Sequence, residues 1–142
     1  MFDYITKGET IIFGPQYVKP LDFKLLTNCK KIIFSDYELN EGLFEAYELN
    51  DNLNKFYYIG SEFNQPLGNS LNNCTALTHI DFGSSFNCHL CNSLDDCTAL
   101  SILVFNYYFN KPLANSLNNC TALTCIKFGH YFNQPLCNSL NN

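Results

Sequence analysis

The sequence predicts an α/β solenoid of about six coils of 22–24 residues, with a parallel sheet on one face and short helices or turns on the other. Three observations lead there. Phe63 to Phe82 reads FNQPLGNSLNNCTALTHIDF, and Phe86–Phe105 and Phe109–Phe128 repeat it, so that Phe63, Phe86, Phe109 and Phe132 stand 23 residues apart. A fixed period of this length marks a stack of supersecondary units, each burying its apolar face only against a neighbour. Within each unit, Leu77-Thr-His-Ile80-Asp-Phe82 and its copies Leu100–Phe105 and Leu123–Phe128 have the form LxxLxL. Alternation over the last residues reads as a strand, with Ile80 and Phe82 inward and Asp81 outward. The rest of the unit spaces Leu67, Leu71 and Cys74 at i, i+4, i+7, one apolar face of a short helix or a tighter turn.

Taken in order, the first coil is degenerate. Ile11 and Phe13 match Ile80 and Phe82, while Tyr17, Pro20 and Leu21 match Phe63, Pro66 and Leu67. Ile32 and Phe34 lead into a second coil running Leu39, Leu43, Tyr47, Asn50, Leu53, where Glu41, Glu45 and Glu48 form a solvated face. Regular coils then start at Phe63, Phe86, Phe109 and Phe132. One solenoid domain over residues 1–142 follows, with 1–62 degenerate, 63–142 regular and the last coil incomplete. The asparagine columns Asn64, Asn87, Asn110, Asn133 and Asn69, Asn92, Asn115, Asn138 are expected to satisfy backbone groups at the coil corners, where a short amide offers both donor and acceptor.

Composition excludes several roles. Of the 142 residues 46% are hydrophobic, enough for a continuous core, and the net charge is only −5. The repeat block is nearly uncharged: residues 63–142 hold three acids and two lysines. Arginine is absent and no basic stripe forms, so nucleic acid is not an expected partner. The N-terminus MFDYITKGETIIFG has neither a basic leader nor a long apolar run, which predicts a soluble cytoplasmic protein with no membrane association. Of the eight cysteines, Cys74, Cys97 and Cys120 share one repeat column, where a free thiol packs as a small hydrophobe.

SLNNCTALTHIDF resembles the BspA-like leucine-rich repeat, and FNQPL is similar to the FNIP-type repeat, a related leucine-rich variety. The resemblance covers residues 63–142 and is weak across 11–62. It implies a leucine-rich-repeat solenoid used for recognition or adhesion, and it brings no catalytic residues.

The chemistry-bearing residues point the same way. Cys88-His-Leu-Cys91 has the spacing of half a zinc site, but Cys137, the nearest column mate of Cys91, lies two coils away, roughly 10 Å at about 4.8 Å per stacked strand. No metal and no other cofactor is expected. His79 and Asp81 share one strand face, yet Cys125 is two coils from His79, beyond the roughly 3 Å reach of a base on a nucleophile. A non-enzymatic chain is expected.

The outward strand positions vary from coil to coil while the inward ones do not. They are Lys30, Lys31, Ile33; Asn54, Lys55, Tyr57; Thr78, His79, Asp81; Ser101, Ile102, Val104; and Thr124, Cys125, Lys127. Ile102 and Val104, with Tyr107 and Tyr108 just after, place apolar groups where a soluble monomer shows polar ones. A protein-binding surface is therefore expected at Tyr57, His79, Asp81, Ile102, Val104, Tyr107, Tyr108 and Lys127. The alternative is a structural element that associates end to end through its C-terminal coil.

Overall fold

The computed structural model describes residues 3–39, 42–44, 61–137 and 139–140. Its strands are β1 (Tyr4–Lys7), β2 (Thr10–Phe13), β3 (Lys31–Phe34), β4 (His79–Asp81), β5 (Ile102–Val104) and β6 (Cys125–Lys127), with one helical turn, α1 (Phe23–Leu26), between β2 and β3. They form one sheet in sequence order. β1 pairs antiparallel with β2, and every later pair is parallel. Successive parallel strands joined by connections on one side make a solenoid.

The register is the one the repeat columns imply. Ile11, Ile32, Ile80, Leu103 and Ile126 are aligned across the sheet, as are Ile12, Ile33, Asp81, Val104 and Lys127 on the opposite face. A shift of one residue would turn the whole inward set to solvent, so burial of the isoleucine and phenylalanine columns fixes the register.

Two aromatic columns run along the axis. Phe13, Phe34, Phe82, Phe105 and Phe128 stack at 5.0–6.1 Å between ring centroids. Phe63, Phe86, Phe109 and Phe132 stack at 6.0 Å beside them, and Tyr17 lies at 6.1 Å from Phe63 with its ring tilted by 31°. Each such ring buries a large apolar area, and the stacked geometry adds about 0.5–1.5 kcal/mol per pair. One core cluster extends from Ile11 to Cys120 across the change in repeat quality near residue 60.

The expected count of six coils meets an exception. The coil starting at Leu39 falls largely on residues outside those described, and β3 pairs directly with β4. No strand stands between them. Phe63 likewise packs on Tyr17 and Phe34, the aromatics of the first coil and of β3. The chain leaves the stack after β3 and is clasped on its return. Oδ1 of Asp36 accepts hydrogen bonds from the backbone N–H of Ser61 at 2.7 Å and of Ser84 at 2.8 Å, and Glu62 N–H donates to Pro15 O at 2.6 Å.

The expected helices are mostly turns. Between β2 and β3 α1 does form one, with Asp22 Oδ1 accepting from Lys24 N–H at its start, and residues 42–44 are also helical. In the coils starting at Phe63, Phe86 and Phe109 the leucines and cysteine at the positions of Leu67, Leu71 and Cys74 are buried as the spacing predicts, while Leu136 and Leu140 of the last coil are exposed; in the first of these coils the backbone makes separate three-residue turns, Ser70 N–H to Leu67 O and Cys74 N–H to Leu71 O. The reason is local. Gly68, Cys91, Ala114 and Cys137 hold φ of +51°, +49°, +47° and +46°, and a left-handed residue directly after the first leucine stops a right-handed helix.

The first asparagine column behaves as expected. Oδ1 of Asn64, Asn87 and Asn110 accepts the backbone N–H of Asn87, Asn110 and Asn133 respectively, each at 2.9 Å. In the second column it is the backbone that acts: the carbonyls of Asn69, Asn92 and Asn115 accept from Asn72, Asp95 and Asn118 N–H. Asn138 lies outside the described residues.

Candidate functional site

The outward face of the sheet divides into two halves. Over β2 and β3, Ile12 and Ile33 are 0% and 2% exposed, because Leu43 and Phe44 pack on them with Ile5, Tyr37 and Leu39 alongside. Lys7 Nζ lies 5.8 Å from the centre of the Phe44 ring. Ile33, expected on an open face, is thus covered by the chain itself. The sequence reading missed this because it took residues 39–62 for a further coil of the stack, whereas Leu43 and Phe44 lie across its outer face.

Over β4–β6 the outward residues are His79, Asp81, Ile102, Val104 and Cys125, all half-buried, and Lys127, exposed. The register sets Ile102 between His79 and Cys125, and Val104 between Asp81 and Lys127. His79 and Cys125 are therefore two strands apart, roughly 10 Å. Tyr57 lies outside the described residues.

The two titratable groups here are shifted in opposite directions. Burial, aided by the positive charges of Lys31 and Lys127, pushes His79 down to about 4, so the imidazole is neutral near pH 7. Burial pushes the Asp81 carboxyl up to about 7. Gly83 N–H at 3.1 Å and the Asn106 amide at 2.8 Å both donate to Asp81 Oδ1 and oppose that rise, the negative charge of Asp36 adds to it, and Lys127 opposes it. The carboxyl thus orders the exit of β4 by holding Gly83. Gly83 is left-handed at φ +69°, and a β-carbon there would lie 2.6 Å from Phe34 O.

Just past β5 and β6, the chain shows an exposed aromatic group. Tyr107, Tyr108 and Tyr131 are 44%, 51% and 50% exposed. Tyr107 stacks on His130 at 5.5 Å and Tyr108 on Tyr131 at 5.6 Å, with Tyr107–Tyr108 and His130–Tyr131 edge to face. Tyr131 N–H donates to Tyr107 O, so adjacent coils hold the rings in step. His130 and Tyr131 were not among the expected site residues, although the 23-residue offset from Tyr107 and Tyr108 points straight to them.

The cysteines divide by column. Burial pushes the Cys74, Cys97 and Cys120 thiols up to about 11, 12 and 11, as expected of thiols packed as apolar groups. Cys88 Sγ contacts Asn64 Oδ1 at 3.3 Å, and Cys91 is exposed on left-handed backbone, its column mate Cys137 separated from it by Ala114. Among the described residues no group of three or more His, Cys, Asp or Glu side chains is placed to hold a metal ion, and no helix is long and apolar enough to cross a membrane. No protein-family model, curated protein or solved structure matches this chain.

Proposed function

We propose that the chain is a leucine-rich-repeat module, of the BspA-like and FNIP-type kind, that binds a protein partner and catalyses no reaction. The binding surface is the uncovered half of the strand face, His79, Asp81, Ile102, Val104 and Lys127, together with the aromatic group beyond it. The observation that carries this reading is the exposed cluster of Tyr107, Tyr108, His130 and Tyr131, because interface cores are enriched in tyrosine and depleted in charge. Ile102 and Val104 extend that uncharged surface onto the sheet. The absence of a catalytic role is supported by the neutral His79 facing Ile102 rather than a nucleophile. A reducing compartment such as the cytoplasm suits three buried thiols packed as hydrophobes.

The test is capture of partners from the source cell, comparing the wild-type chain with Ile102→Asp/Val104→Asp and with Tyr108→Ala/Tyr131→Ala. Each double variant is expected to lose at least tenfold in affinity for the captured protein while keeping its circular dichroism spectrum. Unchanged binding by both folded variants would reject the surface.

A further inference from the structure

The outward face of the sheet is already used once, by the chain itself, to seat a helical segment. Residues 42–44 are helical, and Leu43 and Phe44 pack on Ile12 of β2 and Ile33 of β3, so that all four are buried. In sequence this apolar pair stands between Glu41 and Glu45. Lys7 of β1 reaches the Phe44 ring, so a lysine flanks the seat as well.

The same rows of outward positions continue past that seat. Ile12 and Ile33 share theirs with Asp81, Val104 and Lys127, and Lys31 shares the other with His79, Ile102 and Cys125. Two helices packed side by side stand about 8–10 Å apart, which is two strands at about 4.8 Å each. A helix placed beside the first therefore comes over β4 and β5. The apolar side chains there are Ile102 and Val104, both half-buried. They take the part that Ile12 and Ile33 take under Leu43 and Phe44.

Charge decides what such a helix carries. Lys31, on β3 in the His79 row, and Lys127, on β6 in the Val104 row, stand at opposite corners of this second seat. Among the described residues neither lysine has an ion pair, whereas Lys19 and Lys30 are paired with Asp3 and Glu9. Asp81 is the one acid among the outward strand residues of β3–β6, and its Oδ1 is taken up by Gly83 N–H and the Asn106 amide. The surface is thus apolar in the middle and positive at two corners. A basic segment laid on it would set like charges against both lysines.

We infer that the partner presents an acidic amphipathic helix, seated over β4 and β5 beside residues 42–44, with apolar side chains on Ile102 and Val104 and carboxylates toward Lys31 and Lys127. Apolar anchors on one helix face supply the contact, and the flanking charges fix its register and direction. The inference rests on the partner-binding reading above, to which it adds the chemistry of the partner. Capture from the source cell that depends on Ile102 and Val104 keeps that reading even where this one fails.

The test is selection from a display library of randomised helix-forming peptides, about four turns long, panned against the full chain. The expected winners carry an apolar stripe flanked by Asp or Glu. A winning peptide, synthesised, is expected to lose at least tenfold in affinity for Lys31→Glu/Lys127→Glu and for Ile102→Asp/Val104→Asp. Lys24→Glu/Lys111→Glu, which changes the net charge equally at lysines off this face, is expected to leave its affinity unchanged. Folding of each variant is checked by circular dichroism, and where one of the first two fails to fold the other decides. Enrichment of basic or proline-rich peptides, no enrichment, equal loss in the off-face variant, or self-association of the wild-type chain that Ile102→Asp/Val104→Asp abolishes would each overturn the inference.

Discussion

Asp81 and His79 sit two residues apart on one strand and titrate against each other. The folded protein holds the Asp81 proton up to about pH 7, while an unfolded aspartate releases it near 3.8. Stability from this group is therefore fully present below pH 3.8 and is lost as pH rises through 7. His79 runs the other way: its folded value of about 4 lies below the ordinary 6.5, so its contribution is present above pH 6.5 and is lost as pH falls through 4. Between pH 4 and 6.5 the two slopes oppose, each at most about 1.4 kcal/mol per pH unit. Asp81→Asn removes one of them. Its stability relative to wild type is expected to improve from pH 4 to pH 8, measured by urea unfolding at each pH; a constant difference would show that the carboxyl is not held protonated. These shifts could not be read from the sequence, because they depend first on how deeply the folded chain buries each group. Part of their charged surroundings could: the LxxLxL pattern placed Lys31 and Lys127 on the same outward face as His79 and Asp81, but it did not place Asp36, Gly83 and Asn106, which also act on Asp81.

At the scale of the coil, the inward columns and the first asparagine ladder were legible because identical residues recur where identical contacts are needed. The corner that decides turn against helix was not. Gly68 advertises left-handed backbone, but Cys91, Ala114 and Cys137 in the same column hide it, and Cys91 instead suggested half a metal site. The cost of a β-carbon at such a φ is about 1–2 kcal/mol, partly offset because glycine gains more freedom on unfolding. Ala114→Gly is accordingly expected to stabilise the protein by up to about 1 kcal/mol, and Gly68→Ala to destabilise it by a similar amount. A β-carbon on Gly68 would meet nothing within 4 Å, so backbone conformation alone is tested. Equal denaturant midpoints for Gly68→Ala and wild type would argue against strain in this column.

Over the whole molecule, the period carried the fold wherever it was unbroken and misled where it lapsed. Residues after Phe34 retain enough leucine spacing to mimic a coil, yet Leu43 and Phe44 cover Ile12 and Ile33 from outside and the sheet passes directly from β3 to β4. Periodicity reports which residues are apolar at a given spacing; it does not report which side of a sheet they cover. The Asp36 carboxylate that clasps the returning chain has no counterpart in the repeat and so left no periodic trace. Within the regular block a whole-molecule prediction follows from the register. Deleting residues 86–108 brings Phe109 and Asn110 onto Phe63 and Asn64 with each column still matched, and the shortened chain is expected to unfold cooperatively at a lower melting temperature. Deleting 86–107 leaves every later column one residue out of step and is expected to abolish cooperative melting by circular dichroism.

The asparagine rungs give this last point a reach beyond one chain. Each rung joins the same residue type in neighbouring coils 23 positions apart, at the same 2.9 Å. A copying slip of one full unit in the gene would therefore leave a protein with every rung still made. Descendants could lengthen or shorten in whole steps, each bringing or removing one strip of outward residues, so that the span of surface offered to a partner is a heritable quantity that can change without a new fold.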